Sequence, residues 1–257
     1  MLDLQRTREV SSRVEELEEV GSTNAALRVL AADADGWPHL SVLLTANQTA
    51  GRGRLDRTWS APAGSALAVS VVLRRLPDDP EARGWIPLAA GVAMTDAVAA
   101  QLPDRTVAVK WPNDVLVDGR KICGILAEAT GDAVIVGSGV NTAMTEAELP
   151  VPTATSFAVL GATVDVDRLL ATYLERLSAS IEALAESGDA VSSGLHAAAV
   201  ERCATLGLDV RVSLPGGRFL EGRAETIDED GRLVVRAGQE THAVSAGDVV
   251  HVRPAQP

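Results

Sequence analysis

The chain has 257 residues, with 35 acidic against 23 basic side chains for a formal net charge of −12, and it is 46% hydrophobic but only 3% aromatic. At roughly 100–200 residues per domain, this length holds one large domain or a medium one with a small appendage, and either buries a core. The composition argues against a mainly disordered chain, and the acidic balance disfavours general binding to nucleic acid or anionic lipid, because phosphates are repelled unless basic residues cluster locally.

Two cysteines, Cys123 and Cys203, cannot build a disulfide framework, and no basic, apolar, small-residue signal segment opens the chain, so a cytoplasmic address is expected. The apolar stretch from Trp85 to Leu102 is broken by Pro87, Gly91, Thr95, Asp96 and Gln101. It falls short of the ~20 apolar residues that span a bilayer and reads as a buried helix. His39, His196, His242 and His251 show no metal-ligand spacing, and no Walker-type phosphate loop occurs.

In chain order, Thr7–Glu19 is charged and reads as one short helix. Ser22 or Thr23 then caps a helix through Ala32, with Ala25, Ala26, Val29 and Leu30 on one face. Ser41–Thr45 is a short apolar strand, Asn47 to Gly64 is polar and glycine-rich, and Ala66–Leu73 reads as a buried strand. Trp85–Gln101 is the large helix. Strands follow over Val107–Lys110, Ile122–Glu128 and Val134–Val140, with a tight turn at Asp118-Gly119 between the first two. The spacing of Leu170, Tyr173, Leu174, Leu177, Ile181 and Leu184 predicts a helix over Asp167–Glu186, and a third helix covers Leu195–Cys203.

After Gly207 short β-type runs alternate with turn signals: Val210–Leu214, Pro215-Gly216-Gly217, Phe219–Ile227, Asp230-Gly231, Leu233–Arg236, Gly238, His242–Val244, Gly247-Asp248 and Val249–Val252. This pattern predicts a small antiparallel barrel. The chain therefore divides near residue 206 into a mixed α/β body, 1–205, and an all-β cap, 206–257.

The most unusual segment is Gln48-Thr49-Ala50-Gly51-Arg52-Gly53-Arg54-Leu55-Asp56-Arg57-Thr58-Trp59. Alternating Gly and Arg gives a backbone whose amides can approach a ligand, together with cations suited to phosphate or carboxylate oxygens. A solvated loop with chance arginines is the plainer alternative. A dinucleotide fingerprint is excluded, because Asp56 stands where its third glycine belongs. In Lys110-Trp111-Pro112-Asn113-Asp114, a lysine ends an apolar strand and Trp-Pro forces a turn, which would hold the ammonium at a cavity edge. A surface lysine beside a core tryptophan is the plainer alternative there. Gly137-Ser138-Gly139-Val140-Asn141 closes a strand, a weak signal alone.

Together, and with Arg120-Lys121-Ile122-Cys123-Gly124-Ile125-Leu126 between them, these segments resemble in order and spacing the biotin–protein ligases. The resemblance runs from Ser22 to Asn141 by motif and to the C-terminus by architecture. It implies an α/β (α+β) ligase body whose mixed sheet is packed by helices, and a C-terminal SH3-like β-barrel. It also implies a two-step reaction: biotin and ATP, with Mg2+, give biotinyl-5′-AMP, and a lysine of a biotin carboxyl carrier domain of a carboxylase then displaces AMP. No covalent enzyme nucleophile is needed, in keeping with a motif set rich in Arg, Lys and Gly.

Carried over residue by residue, the resemblance gives biotin contacts to Ser22, Thr23, Asn24, Gln48, Arg52, Gly53, Arg54, Lys110, Gly124, Gly137 and Gly139. Adenylate contacts fall to Arg54, Arg57, Trp59, Lys110 and Asn141, with Lys110 and Arg54 as the catalytic pair. Ser22 and Thr23 also suit a simple helix cap. Magnesium ligands stay unassigned, Asp114 being a guess. Two positions depart from the family pattern: Asp56 replaces a common loop glycine, and Ser138 an aliphatic residue. About twenty residues precede Ser22, too few for the winged helix-turn-helix of the repressor-type members, so a monofunctional ligase without DNA binding is expected. No membrane partner is expected, and a weak homodimer is conceivable. A lipoate–protein ligase and a non-catalytic biotin or nucleotide binder are the rival readings. The Lys110–Asp114 motif with the Gly-Arg loop favours biotin over lipoate, and the cationic set Arg54, Arg57 and Lys110 favours catalysis over mere binding.

Overall fold

The computed structural model describes residues 2–54, 57–214, 218–245 and 248–251. Where the sequence predicts one helix over Thr7–Glu19, the chain forms α1 (Gln5–Val10) and then β1 (Val14–Leu17). The strand prevails because Val14 is buried and the segment pairs in parallel with β2 (Val42–Thr45), Val14 against Val42 and Leu17 against Thr45. Ladder bonds and burial outweigh a weak helical propensity.

Helix α2 (Thr23–Leu30) is capped by Ser22, whose Oγ accepts the Ala25 N–H at 3.4 Å. Its buried residues are Thr23, Asn24 and Leu27, while Ala25 and Val29 face outward. The predicted stripe of Ala25, Ala26, Val29 and Leu30 is therefore displaced. Period-based reading places polar residues toward water, and here two of them turn inward.

Short strands β3 (Gly51–Arg52) and β4 (Thr58–Trp59) pair as a two-stranded ribbon within the Gly-Arg segment; Asp56 lies outside the described residues. Strand β5 (Ala66–Leu73) has the predicted limits, and a 3-10 turn, Ala82–Trp85, leads into the buried α3 (Ile86–Ala99). Then come β6 (Val107–Lys110), β7 (Asp114–Val117), β8 (Arg120–Thr130) and β9 (Ala133–Asn141). Strand β7 is absent from the prediction because only four residues separate the Trp-Pro turn from the next one. At that next turn Asp118 and Gly119 have φ of 49° and 77°, the left-handed pair that joins two antiparallel strands most tightly.

The seven strands lie in the order β1-β2-β5-β9-β8-β7-β6, parallel at β1–β2 and antiparallel elsewhere, so the sheet is mixed. One face is covered by α3 and by α4 (Val166–Ser187), which is capped by Asp165 and ends at the left-handed Gly188. Leu170, Tyr173, Leu174, Leu177, Ile181 and Leu184 are all buried, as their spacing predicts. Each large apolar side chain so buried contributes roughly 1.5–3 kcal/mol.

Strand alternation sorts the other face. Leu67, Val69, Val71 and Leu73 of β5 and Val134, Val136 and Val140 of β9 join the core on the α3/α4 side. Opposite, Leu27, Trp37, Leu43, Val72 and Ile135 form a smaller cluster beneath α2. Beside that cluster the sheet carries little bulk: Ala68, Gly139 and Gly124 sit in register across β5, β9 and β8, and Ser70 pairs with Gly137. A sheet face without side-chain volume leaves a cavity.

After α5 (Leu195–Arg202) come β10 (Asp209–Ser213), β11 (Phe219–Ile227), β12 (Leu233–Ala237), β13 (Glu240–Val244) and β14 (Asp248–His251). They form an antiparallel sheet in the order β13-β12-β11-β10-β14. Each predicted run is a strand with ends shifted by at most a residue or two; Pro215-Gly216-Gly217, Gly247 and Val252 lie outside the described residues. Among the described residues no ladder joins β13 to β14. Two indoles anchor this sheet on the body: Trp85 Nε1 donates to the Glu229 carbonyl at 2.9 Å and Trp111 Nε1 to that of Gly231 at 3.0 Å. Gly231 has φ +79°, and a Cβ there would lie 3.3 Å from the Trp85 ring. No helix among the described residues is long and apolar enough to cross a membrane.

Candidate active site

The cavity over the bare sheet face has a volume of about 160 Å3. The N-terminus of α2 closes one end, the Gly-Arg ribbon roofs it, and Asn113, Asp114 and Lys121 lie along its wall. Ser22, Thr23, Asn24, Gln48, Arg52, Gly53, Arg54, Arg57, Trp59, Gly124, Gly137 and Gly139 all line it, so the structure brings together most of the predicted site residues.

At the closed end the polar groups are mutually oriented. The Ser70 hydroxyl lies 2.6 Å from Asn24 Oδ1 and 2.8 Å from Thr23 Oγ1. Thr23 donates its N–H and its hydroxyl to Gln48 Oε1 at 2.8 and 3.1 Å. Asn24 Nδ2 donates to the Leu126 carbonyl at 3.1 Å. Sequence reasoning missed Ser70, whose signal was a lone hydroxyl in an otherwise apolar strand. Gly137 is required here, because a Cβ would fall on Asn24 Oδ1. At Gly139 a Cβ would lie 2.7 Å from Trp59 Cε2, so the indole lies directly on the strand backbone.

The cationic side differs from expectation. Arg52 is directed to Glu128, its NH2 3.3 Å from both carboxylate oxygens. Arg54 crosses to the Trp-Pro turn and donates to Asn113 Oδ1 at 2.8 Å, while Asn113 in turn donates to the Ile125 carbonyl at 2.7 Å. Lys110 is not one of the side chains lining the cavity. It ends β6 beside the C-terminal sheet, where its charge, after burial, holds the pKa of His251 below the ordinary value.

The lysine that lines the cavity is Lys121. Its Nζ lies 2.6 Å from Asp114 Oδ1, and its side chain runs over Gly124, where a Cβ would meet Nζ at 2.9 Å. Residues three apart on a regular strand face opposite ways. Here the β7–β8 register shifts: Leu116 pairs with Lys121 but Val115 with Cys123, and the extra residue turns Lys121 onto the face of Gly124.

Asn141 lies outside the cavity lining. It is buried at the end of β9 and donates to the Thr155 carbonyl at 2.9 Å. Ser138 points away from Gly137 and Gly139 to the Tyr173 hydroxyl at 3.1 Å, giving this departure a buried partner. Cys123 is fully buried and its thiol is pushed up to about 12 by burial, so it is no nucleophile at neutral pH.

Residues 20–141 match the Biotin/lipoate A/B protein ligase family, and residues 205–252 match the Biotin protein ligase C terminal domain. The fold and cavity thus define a ligase of the biotin/lipoate class. The chain is 42% identical over 241 residues to the biotin–[acetyl-CoA-carboxylase] ligase of Mycobacterium tuberculosis, spanning 91% of this chain and 87% of that protein. It is 34% identical over 248 residues to the corresponding ligase of Paracoccus denitrificans, spanning 89% and 96%. The fold is similar to that of the biotin protein ligase from Aquifex aeolicus, solved with biotin and ATP, with TM-score 0.77, 24% identity, and 95% and 100% of the two chains covered. The chain belongs to the biotin protein ligase family.

Proposed function

We propose that the chain joins biotin to ATP as biotinyl-5′-AMP and then transfers biotin to one lysine of a carboxylase's biotin carboxyl carrier domain. The observation that carries this reading is the single cavity in which a hydroxyl- and amide-lined closed end faces Arg54 and Lys121 across a glycine floor. Thr23, Asn24 and Gln48 suit a polar ureido ring, and the bare face over Gly137 and Gly139 suits the flat body of the ligand.

In adenylation the biotin carboxylate attacks the α-phosphorus, the α–β phosphoanhydride bond breaks and pyrophosphate leaves, so positive charge and donors must be fixed where two anions meet. Lys121 supplies this ammonium in place of Lys110. It stands within the cavity and its direction is held by Asp114. Arg54 and Arg57 suit the phosphates, and Trp59 the wall beside them. In the second step the acceptor amine attacks the biotinyl carbonyl carbon, the bond to the phosphate oxygen breaks, and AMP leaves. Among the described residues no three His, Cys, Asp or Glu side chains converge. A magnesium ion arriving with ATP would be held chiefly by phosphate and water oxygens, and Asp114 is a carboxylate of the same cavity that could join them.

The C-terminal unit, 206–257, is read as an SH3-like barrel and 1–205 as the catalytic unit. The reaction is assigned to the cytoplasm, with no DNA-binding role and at most a weak homodimer. Titration calorimetry with biotin and with lipoate, each with and without MgATP, tests the reading. Biotin binding that tightens with MgATP and releases pyrophosphate is expected. Preference for lipoate, or biotin binding without pyrophosphate, overturns it.

A further inference from the structure

Glu128 carries no role in the reading above and lines the neighbouring pocket rather than the biotin cavity, yet its carboxylate joins the two elements that shape that cavity. It accepts from Asn24 Nδ2 at 2.9 Å, from Arg28 NH1 at 3.2 Å and from Arg52 NH2 at 3.3 Å. Asn24 belongs to the closed end of the cavity and Arg52 to the ribbon that roofs it. With one Asn24 amide hydrogen on the Leu126 carbonyl, the other on Glu128, and Oδ1 facing the Ser70 hydroxyl, the amide has one orientation.

We propose that Glu128 is a positioning residue that latches the Gly-Arg ribbon to the closed end of the biotin cavity, so that retention of the adenylate depends on a carboxylate touching neither substrate. The inference rests on the proposed ligase function. The chemistry suits a releasable catch. Glu128 is 19% exposed in its side chain, and Arg28, on α2, is its second cationic partner. Loss of the Arg52 contact therefore exchanges one charge-assisted contact for water without stranding a buried carboxylate.

Glu128→Gln keeps an acceptor for Asn24 and removes the charge; Arg52→Gln removes the other partner. The two single variants and the double variant are compared with the wild type in melting temperature, in biotin KM and kcat for pyrophosphate release, and in the half-life of enzyme-bound biotinyl-adenylate. Each single variant is expected to shorten the half-life about tenfold, the scale of one charge-assisted contact, and to raise KM more than it lowers kcat. The double variant is expected to be no worse than either single one, since both break one contact. Fold losses that multiply in the double variant, an unchanged half-life in Glu128→Gln, or a lowered melting temperature as the only effect overturns the latch. A wild-type chain that releases no pyrophosphate with biotin overturns the ligase reading instead, so the two failures are told apart.

Discussion

Lys121 and Asp114 meet across the wall of the cavity, Nζ to Oδ1 at 2.6 Å, although a regular β8 would turn the lysine to the opposite face from Gly124. The pair depends on one extra residue in the strand. The register shift between Val115 and Leu116 re-aims the side chain, and the absence of a Cβ at Gly124 lets it lie flat.

Lys121→Ala is accordingly expected to lower the rate of pyrophosphate release by about 10²–10³-fold, the usual cost of removing one fixed charge from a crowded anionic transition state. Lys110→Ala is expected to lose far less. Steady-state kinetics of both variants check the assignment, and the reverse ranking returns the catalytic role to Lys110.

Gly137→Ala sets a methyl against Asn24 Oδ1. The amide must swing out of its bond with Ser70, and biotin affinity is expected to fall by about tenfold or more, equivalent to about 1.4 kcal/mol. Calorimetry measures the loss, and circular dichroism checks that the fold survives. Wild-type affinity would mean that Asn24 takes no part in binding biotin.

Arg54→Gly removes the bond to Asn113 Oδ1 and the guanidinium at the cavity edge. Adenylation is expected to continue with weaker retention of the product, and a mixed anhydride released into solution acylates accessible lysine amines. The chain itself has only two lysines, Lys110 and Lys121, so the label is expected on a bystander protein lacking an acceptor domain. Bystander labelling no greater than with the wild type, while adenylate synthesis continues, removes Arg54 from this role.

Stability is expected to fall as the pH drops below about 6.5, the ordinary histidine value. Burial, followed by the charge of Arg75, holds His39 below that value, and burial followed by Lys110 does the same for His251. Each depressed histidine is neutral when folded and takes up a proton more readily when unfolded. Its contribution is therefore complete above the unfolded pKa and is lost as the pH falls through the folded one. Urea unfolding at pH 5 and at pH 7.5 measures this, and His39→Gln is expected to flatten the difference. An unchanged difference assigns the effect to other groups.

Removing 206–257 uncovers Trp85 and Trp111, whose indole N–H groups lose the Glu229 and Gly231 carbonyls. The shortened chain is expected to aggregate, because the cap shares the main apolar core with the body through Val210, Val235 and Val249. Solubility and light scattering check this, and a soluble, fully active fragment shows that the body needs no cap.

The sequence by itself determined the local units and the class of chemistry. Short apolar or β-type runs bounded by turn signals set the limits of β5, β6 and β11, the 3.6 period of Leu170 to Leu184 set α4, and Gly-Arg-Gly-Arg with Trp-Pro-Asn-Asp marked the biotin ligase family. These signals are carried by neighbours along the chain. What only the tertiary structure decided lies between residues far apart in sequence. Asn24 meets Glu128 across 104 positions, and Arg54 meets Asn113 across 59. Edge pairing with β2 made a strand of Val14–Leu17, and a shifted register set Lys121 on the cavity wall beside Asp114. A motif states which charges are present, but the face each one takes depends on strand pairing, and a change of one residue in register reverses it.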